Sequence, residues 1–308
     1  MISEAVIQAL KQFVPEENIC LQEPMAVHTT FRIGGPADCF LQLENTEQLI
    51  KVQKYLSQVE VPFFVLGNGS NLLVSDEGYH GVILQIGQRM SKIEVNDCVI
   101  TAQAGASLAQ TARTAMEHGL TGLEFASGIP GTVGGGVVMN AGAYGGEMSQ
   151  AVIQVNVVNS QGEIMELDND TMEFGYRTSS VKGNSLTVTE VIFKLQRGNR
   201  EEIKAKMDEL AARRREKQPL EYPSAGSVFK RPRGYFAGKL IMDAGLRGYQ
   251  CGGARVSDKH CGFIVNVGGA TAWDVRDVIR EVQERVKERF NVNLETEVLF
   301  LGWEMKNR

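Results

Sequence analysis

Glycines in two short stretches are the residues of this chain best placed to do chemistry. "SGIPGTVGGGVVMNAGAYGGE", residues 127–147, holds eight glycines and no positive charge. "LGNGSNLLV", residues 66–74, adds Gly67 and Gly69 directly after the apolar run "PFFV". Glycine in regular structure costs roughly 0.5–1 kcal/mol relative to alanine, so this density needs a reason. Glycine and asparagine at a strand end let successive N–H groups converge on an anion, with no Cβ in the way. A pyrophosphate suits such a nest. Neither stretch is a standard nucleotide fingerprint. "GNGSNL" has Leu72 where a dinucleotide loop wants its third glycine, and no GK[ST] phosphate loop occurs.

A second candidate is a carboxylate within an apolar run, "LETEVLFLG", residues 294–302. Read as a strand, it puts Glu297 on one face with Leu299 and Leu301, and Val298 and Phe300 on the other. Buried on both sides, the strand would leave that carboxylate needing a partner. Glu295 shares the face, and the residues alone do not choose between the two. Cys261, in "KHC", follows Cys251 by ten residues, but no fourth ligand stands at a usual spacing, so no metal site is expected. The five cysteines (20, 39, 98, 251 and 261) form no CxxC pair, which reads as free thiols in a reducing cytoplasm.

The 308 residues suffice for two or three compact units. With 43% hydrophobic and 22% charged residues, the composition is that of a globular protein. A net charge of −5 without a basic stripe argues against nucleic acid as partner. The one basic run, "ARRREK" at 212–217, sits on a helix that also carries many acids. The start, "MISEAVIQALKQFV", reads as an amphipathic helix and not as a secretory signal. Residues 125–146 are uncharged, but their glycines make a poor lipid-facing helix, so no membrane segment is expected.

A strand–helix rhythm begins at "ADCFLQLENTEQLIKVQKYLSQ", where Phe40 alternates with Leu41 and Leu43. Asn45 is the expected N-cap of a helix with Leu49, Val52 and Leu56 at helical spacing. "VPFFVLG" and "GVILQI" read as buried strands. "CVITAQAGASLAQTARTAMEHG" reads as a strand followed by a helix capped by Ser107 and stopped at Gly119. "AVIQVNVVNSQGEIMEL" reads as a hairpin turning at Gly162, and "LTVTEVIFKL" as a further strand. A charged helix at 200–217 connects to a smaller C-terminal unit. There, Val275, Val278, Ile279, Val282, Val286 and Phe290 form one helical stripe. The fold class is α+β.

"FRIGGPAD" (31–38), "VLGNGSNLLVSD" (65–76) and "GLEFASGIPGTVGGGVVMNAGAYGGE" (122–147) resemble the FAD-binding fold of the vanillyl-alcohol-oxidase (PCMH) type. More closely, they resemble the UDP-N-acetylenolpyruvoylglucosamine reductase family. The likeness continues, in order, through "FGYRTSS" (174–180), "YPSAGSVFKRP" (222–232), "AGKLIMDAGLRGYQCGGARVS" (237–257), "HCGFIVN" (260–266) and "LETEVLFLG". It implies a two-lobed FAD-binding part, residues 1–90 and 91–204, followed by a substrate-binding domain, 205–308. It implies non-covalent FAD, its pyrophosphate held by Gly67, Asn68, Gly69, Ser70 and Asn71 in the first loop. In the second stretch the implied contacts are Gly128, Ile129, Pro130, Gly131, Gly134, Gly135, Asn140, Gly142 and Ala143.

The resemblance further implies NADPH as co-substrate and a UDP-sugar as substrate. Hydride passes from NADPH to the flavin and on to the enolpyruvyl vinyl carbon distal to the carboxylate. Ser227 then matches the proton donor, Arg177 the cation facing the developing enolate, and Glu297 the family's glutamate. Tyr176, Lys217 and Lys230 match substrate contacts. Arg231 stands where one branch of the family has asparagine, and the segment bearing that branch's closing tyrosine has no counterpart, so the chain resembles the shorter, type II form. A cytoplasmic monomer is the expectation.

Two other readings share the glycine loops. A flavin-dependent sugar or alcohol oxidase on the same fold would often tether its flavin through histidine or cysteine. His28, His80 and His118 lie outside the loops, and "YPSAGSVFKRP" would go unexplained. A nucleotide-binding module without chemistry would not need Arg177, Ser227 and Glu297 together.

Overall fold

The structure is a computed structural model and describes residues 2–303. Contacts group the chain into two units. One comprises Met1–Leu21, Cys39–Asn68 and Gly81–Arg214, the other Gln22–Asp38, Gly69–His80 and Arg215–Arg308. The α-helices of the described residues are α1 (Glu4–Leu10), α2 (Thr46–Gln58), α3 (Leu108–Glu117), α4 (Val133–Val138), α5 (Arg200–Lys217), α6 (Ala237–Asp243) and α7 (Ala272–Phe290).

Local sequence accounts for most helix ends. The Asn45 side chain accepts from the Gln48 N–H at 2.9 Å and starts α2. Ser107 does the same for α3 through the Gln110 N–H at 3.0 Å, and Gly119 ends it with φ +65°. Helix α2 buries the apolar positions its spacing predicts, Leu49, Val52 and Leu56, and α3 buries Leu108, Ala112 and Ala115.

A four-stranded sheet has the order Ile19–Pro24, Pro36–Gln42, Tyr79–Gln85, Phe63–Leu66. Pro36–Gln42 is an inner strand, so Ala37 to Leu41 are all buried and the expected alternation is absent. Phe63–Leu66, expected to be buried, lies at the edge and is only half-buried up to Leu66. The five-stranded sheet runs Ile164–Asp168, Val152–Val158, Thr187–Lys194, Val99–Gln103, Ile93–Asn96, antiparallel throughout. Its first pair is the expected hairpin, with Gly162 at φ +80° in the turn.

The second unit joins segments far apart in the chain. Two earlier segments belong to it, and it begins at Arg215. The reason is burial and pairing among distant residues. Phe31, Ile33 and Leu73 share a core with Ile241, Val256, Val278 and Val282. Leu72–Val74 pairs in parallel with Leu299–Leu301. Asp76 accepts from the N–H groups of Ala272 (2.8 Å) and Trp273 (3.2 Å), adding a distant cap to the Thr271–Asp274 capping box of α7. Within α7, Val275, Val278, Ile279, Val282 and Val286 are buried, each contributing roughly 1.5–3 kcal/mol relative to exposure.

The run 294–302 is corrected in length. Only Leu299–Leu301 is strand, and Phe300 is 38% exposed, because this two-stranded pairing covers one edge and leaves a face open. The long glycine stretch is corrected as well. It is no continuous loop but holds α4 and a tight hairpin pairing Gly142–Ala143 with Gly146–Glu147.

Candidate active site

Gly67 and Asn68 meet the second glycine stretch within the first unit, while Gly69 onward belongs to the second. A Cβ on Gly67 would lie 2.4 Å from Thr132 Oγ1, and Asn68 Nδ2 donates to the Pro130 carbonyl at 3.3 Å. Thr132 is the N-cap of α4, its hydroxyl accepting from the Gly135 N–H at 3.2 Å. Gly69 turns the first loop with φ +58°, where a side chain would meet the His28 carbonyl oxygen at 2.1 Å.

Not every glycine faces outward. A Cβ on Gly134 would sit 2.8 Å from the Ala104 Cβ, and one on Gly142 2.8 Å from the Gly146 carbonyl oxygen. Those two let the chain pack against itself. Gly135 differs: it is exposed, and an added Cβ would touch only Thr132 Oγ1, at 3.4 Å. Gly128 and Pro130 are also exposed, Ile129, Gly131 and Ala143 half-buried. Asn140 is buried at φ +40° and engaged at both ends of its amide. It accepts from the Ser149 N–H (3.0 Å) and donates to the Gly175 carbonyl (3.1 Å).

That last bond fastens the "FGYRTSS" turn to the glycine stretch. Ser179 Oγ adds a bond to the Val138 carbonyl at 3.1 Å. Arg177 sits in the turn at φ +57°, its Nη2 donating to the Gly142 carbonyl at 3.2 Å and its guanidinium 5.5 Å from the Tyr176 ring. Lys182 Nζ donates to the Arg177 carbonyl at 3.2 Å. Tyr176 is 56% exposed. The guanidinium is thus tied to the glycine stretch through the Gly142 carbonyl.

In the second unit, the segment around Ser227 lies between two others. Ser227 pairs with Phe263, and Val228 N–H donates to the Gly262 carbonyl at 2.9 Å. On the other side Phe229 pairs with Thr296, and the Glu297 N–H donates to the Val228 carbonyl at 2.7 Å. Ser227 and Glu297 therefore stand on adjoining, hydrogen-bonded segments. Asn71 holds the far side of Glu297, donating to its carbonyl at 3.1 Å and accepting from the Leu299 N–H at 3.0 Å. Glu295 lies on the same segment, its carbonyl accepting from the Lys230 N–H at 2.9 Å. Its side chain is exposed and paired with Lys230 at 3.0 Å, whereas Glu297 is half-buried. Lys217 is the exposed last residue of α5. Ser70 is half-buried.

Arg214 is a residue that no sequence motif singles out. Its Cδ lies 3.2 Å from where a Gly128 Cβ would be, and burial pushes its guanidinium below the ordinary arginine value, Tyr144 opposing. Among the described residues no acidic side chain pairs with it. Only its place in the basic run 213–215 pointed to it.

These residues fit a flavin dinucleotide. The N–H groups of Asn68, Gly69 and Ser70 have no acceptor in the chain among the described residues. In the first unit the Asn68 N–H, the exposed Gly135 and the desolvated Arg214 beside Gly128 suit a diphosphate; in the second, the Gly69 and Ser70 N–H groups offer donors of the same kind. Among the described residues there is no metal-holding cluster of His, Cys, Asp or Glu.

Residues 37–168 match the FAD binding domain, and residues 218–301 the C-terminal domain of UDP-N-acetylenolpyruvoylglucosamine reductase. The reductase of that name from Caldanaerobacter subterraneus subsp. tengcongensis is 50% identical over 98% of this chain and 99% of its own. The chain belongs to the UDP-N-acetylenolpyruvoylglucosamine reductase family. A solved member, the reductase (MurB) from Thermus caldophilus, superposes with a TM-score of 0.79 at 37% identity, covering 92% of this chain and 98% of that one. An alkyldihydroxyacetonephosphate synthase, at 17% identity and a TM-score of 0.50, covers 64% of this chain and 41% of its own, and shows the shared fold alone. As the family requires, the chain is α+β, an FAD-binding fold of the PCMH type followed by the reductase C-terminal domain. No helix among the described residues is long and apolar enough to cross a membrane.

Proposed function

We propose that this chain reduces UDP-N-acetylglucosamine enolpyruvate to UDP-N-acetylmuramate with NADPH, in peptidoglycan precursor synthesis. Membership of the reductase family over nearly the full chain supports the reaction. The pairing of the Ser227 and Glu297 segments carries the assignment of residues. When bound, non-covalent FAD supplies the two-electron relay, taking hydride from NADPH and giving it to the vinyl carbon distal to the carboxylate.

The chain's own groups bind, orient and protonate. The N–H groups of the first loop, with Gly67 and Asn71 at its ends, and the open parts of the second stretch hold the pyrophosphate. Arg214 adds a cation that no carboxylate neutralises. Ser227 Oγ gives its proton to the carbon bearing the carboxylate as negative charge grows there. Arg177 holds that carboxylate and stabilises the enolate-like charge through its guanidinium fork. Glu297, next to the serine segment, orients the substrate end at which hydride arrives. Tyr176, Lys217 and Lys230 serve the UDP-sugar. In this reading residues 1–90 and 91–204 hold the cofactor, the part from 205 takes the sugar nucleotide, and the enzyme is a cytoplasmic monomer.

The two half-reactions separate the roles. In Ser227→Ala, NADPH still bleaches the flavin absorbance at close to the parent rate, while reoxidation by the enolpyruvyl nucleotide is abolished. Equal loss in both half-reactions would show that Ser227 is not the proton donor.

A further inference from the structure

An imidazole that the proposed reaction does not use stands directly behind the Ser227 segment. His260 is half-buried in the turn 257–263. Its backbone N–H donates to Ser257 Oγ at 3.3 Å, and its carbonyl accepts from the Phe263 N–H at 2.9 Å. The ring is clamped between two glycines. A Cβ on Gly262 would lie 2.9 Å from His260 Cε1, and one on Gly238 of α6 3.3 Å from it. The Phe263 ring packs edge-on at 5.0 Å.

The ring's Nδ1 accepts from the Gly262 N–H at 3.1 Å. An Nδ1 that accepts belongs to a neutral imidazole with its proton on Nε2. From there the connection to the serine is one residue long. The Gly262 carbonyl accepts from Val228, and Phe263 pairs with Ser227. We infer that His260 is a positioning residue for Ser227, fixing the 262–263 edge through its unprotonated Nδ1 and releasing that edge when it takes a proton. The inference rests on the reading of Ser227 as proton donor.

Protonation would set an N–H against the Gly262 N–H and remove the acceptor. Burial pushes the imidazole below its ordinary value of 6.5, outweighing an opposing contribution from its own backbone. The charged groups of the surrounding elements are occupied elsewhere. Asp258 and Lys259 of the same turn face Arg255 (3.7 Å) and Glu221 (3.9 Å), and Lys239 pairs with Asp243 on α6 (2.8 Å). Lys230, beside the serine segment, pairs with Glu295 (3.0 Å), and Arg247 lies by Cys261. The sign follows. The folded state binds the proton more weakly than the unfolded one, so the stabilisation is complete above pH 6.5 and is lost as pH falls through the lowered value.

The test uses flavin-loaded enzyme and its half-reactions from pH 5 to 8. Reoxidation by the enolpyruvyl nucleotide should show an acid limb in the parent. His260→Asn, whose amide oxygen can replace Nδ1 as acceptor but cannot titrate, should keep the pH 8 rate within about threefold and lose the limb. His260→Leu should slow reoxidation about ten- to a hundredfold at every pH, with flavin reduction by NADPH spared. Should the leucine variant fail to fold, ¹⁵N NMR of the parent's imidazole gives an independent reading, an Nε2–H tautomer titrating below 6.5. An acid limb that persists in His260→Asn, or an Nδ1–H tautomer, overturns the inference. Ser227→Ala run alongside separates the failures: if it reoxidises normally, the proton-donor reading is what has failed.

Discussion

Adjacent glycines in α4 should respond oppositely to the same substitution. At Gly134 a methyl group would lie 2.8 Å from the Ala104 Cβ, with the Ala104 carbonyl oxygen at 3.2 Å. Both obstacles belong to the chain, so Gly134→Ala should destabilise the apoprotein by about 1–3 kcal/mol, the usual cost of overpacking. At Gly135 the methyl would touch only Thr132 Oγ1 at an ordinary 3.4 Å, and the position is exposed. Alanine is the better helix former, so Gly135→Ala should leave the apoprotein unchanged or more stable by roughly 0.5–1 kcal/mol. The Gly135 N–H itself is taken by Thr132 Oγ1, but if a diphosphate approaches the backbone there, the methyl holds it off at least one neighbouring N–H donor. Such a contact is worth about 1.5–3 kcal/mol, so FAD affinity should fall about ten- to a hundredfold. Urea unfolding of the apoprotein and quenching of flavin fluorescence on titration measure the two effects separately. Unchanged FAD affinity in Gly135→Ala would refute the cradle. Equal destabilisation of both apoproteins would refute the division of glycines into packing and binding positions.

The two glutamates of "LETEV" should also part company. Glu297→Gln is expected to slow reoxidation of reduced flavin by the enolpyruvyl nucleotide in stopped-flow measurements, whereas exposed Glu295→Gln should leave that rate and the stability nearly unchanged, within about 0.5 kcal/mol. Equal losses from both would undo the assignment. Asp76→Ala removes the acceptor for two N–H groups of α7 and should lower the stability of the second unit by roughly 1–3 kcal/mol. The chain's two tryptophans, Trp273 and Trp303, both lie in that unit and report its urea unfolding. A midpoint indistinguishable from the parent would show that the Thr271 capping box suffices alone.

Features set by neighbours a few residues apart were legible in the chain. Asn45 and Ser107 cap the helices they precede, Gly119 and Gly162 turn the backbone where expected, and the α7 stripe from Val275 to Val286 faces a core. The ordered motifs from "FRIGGPAD" to "LETEVLFLG" carried the family and its cofactor, because they are themselves the residues that such a ligand and reaction demand. Other matters depended on what lies across the fold, which no local pattern encodes. Alternation treated Glu295 and Glu297 alike, and only packing exposed one side chain and half-buried the other. Glycine density was visible, but which glycines admit a neighbour and which leave the backbone open depended on Ala104, Thr132 and Phe125, brought close by tertiary contacts. The same holds for Arg214, an ordinary member of a basic run until burial removed its water, and for Asp76, which caps a helix 196 residues away. Periodicity and capping act through hydrogen bonds and faces within one element. Desolvation and steric fit are properties of surfaces that exist only once distant segments have packed.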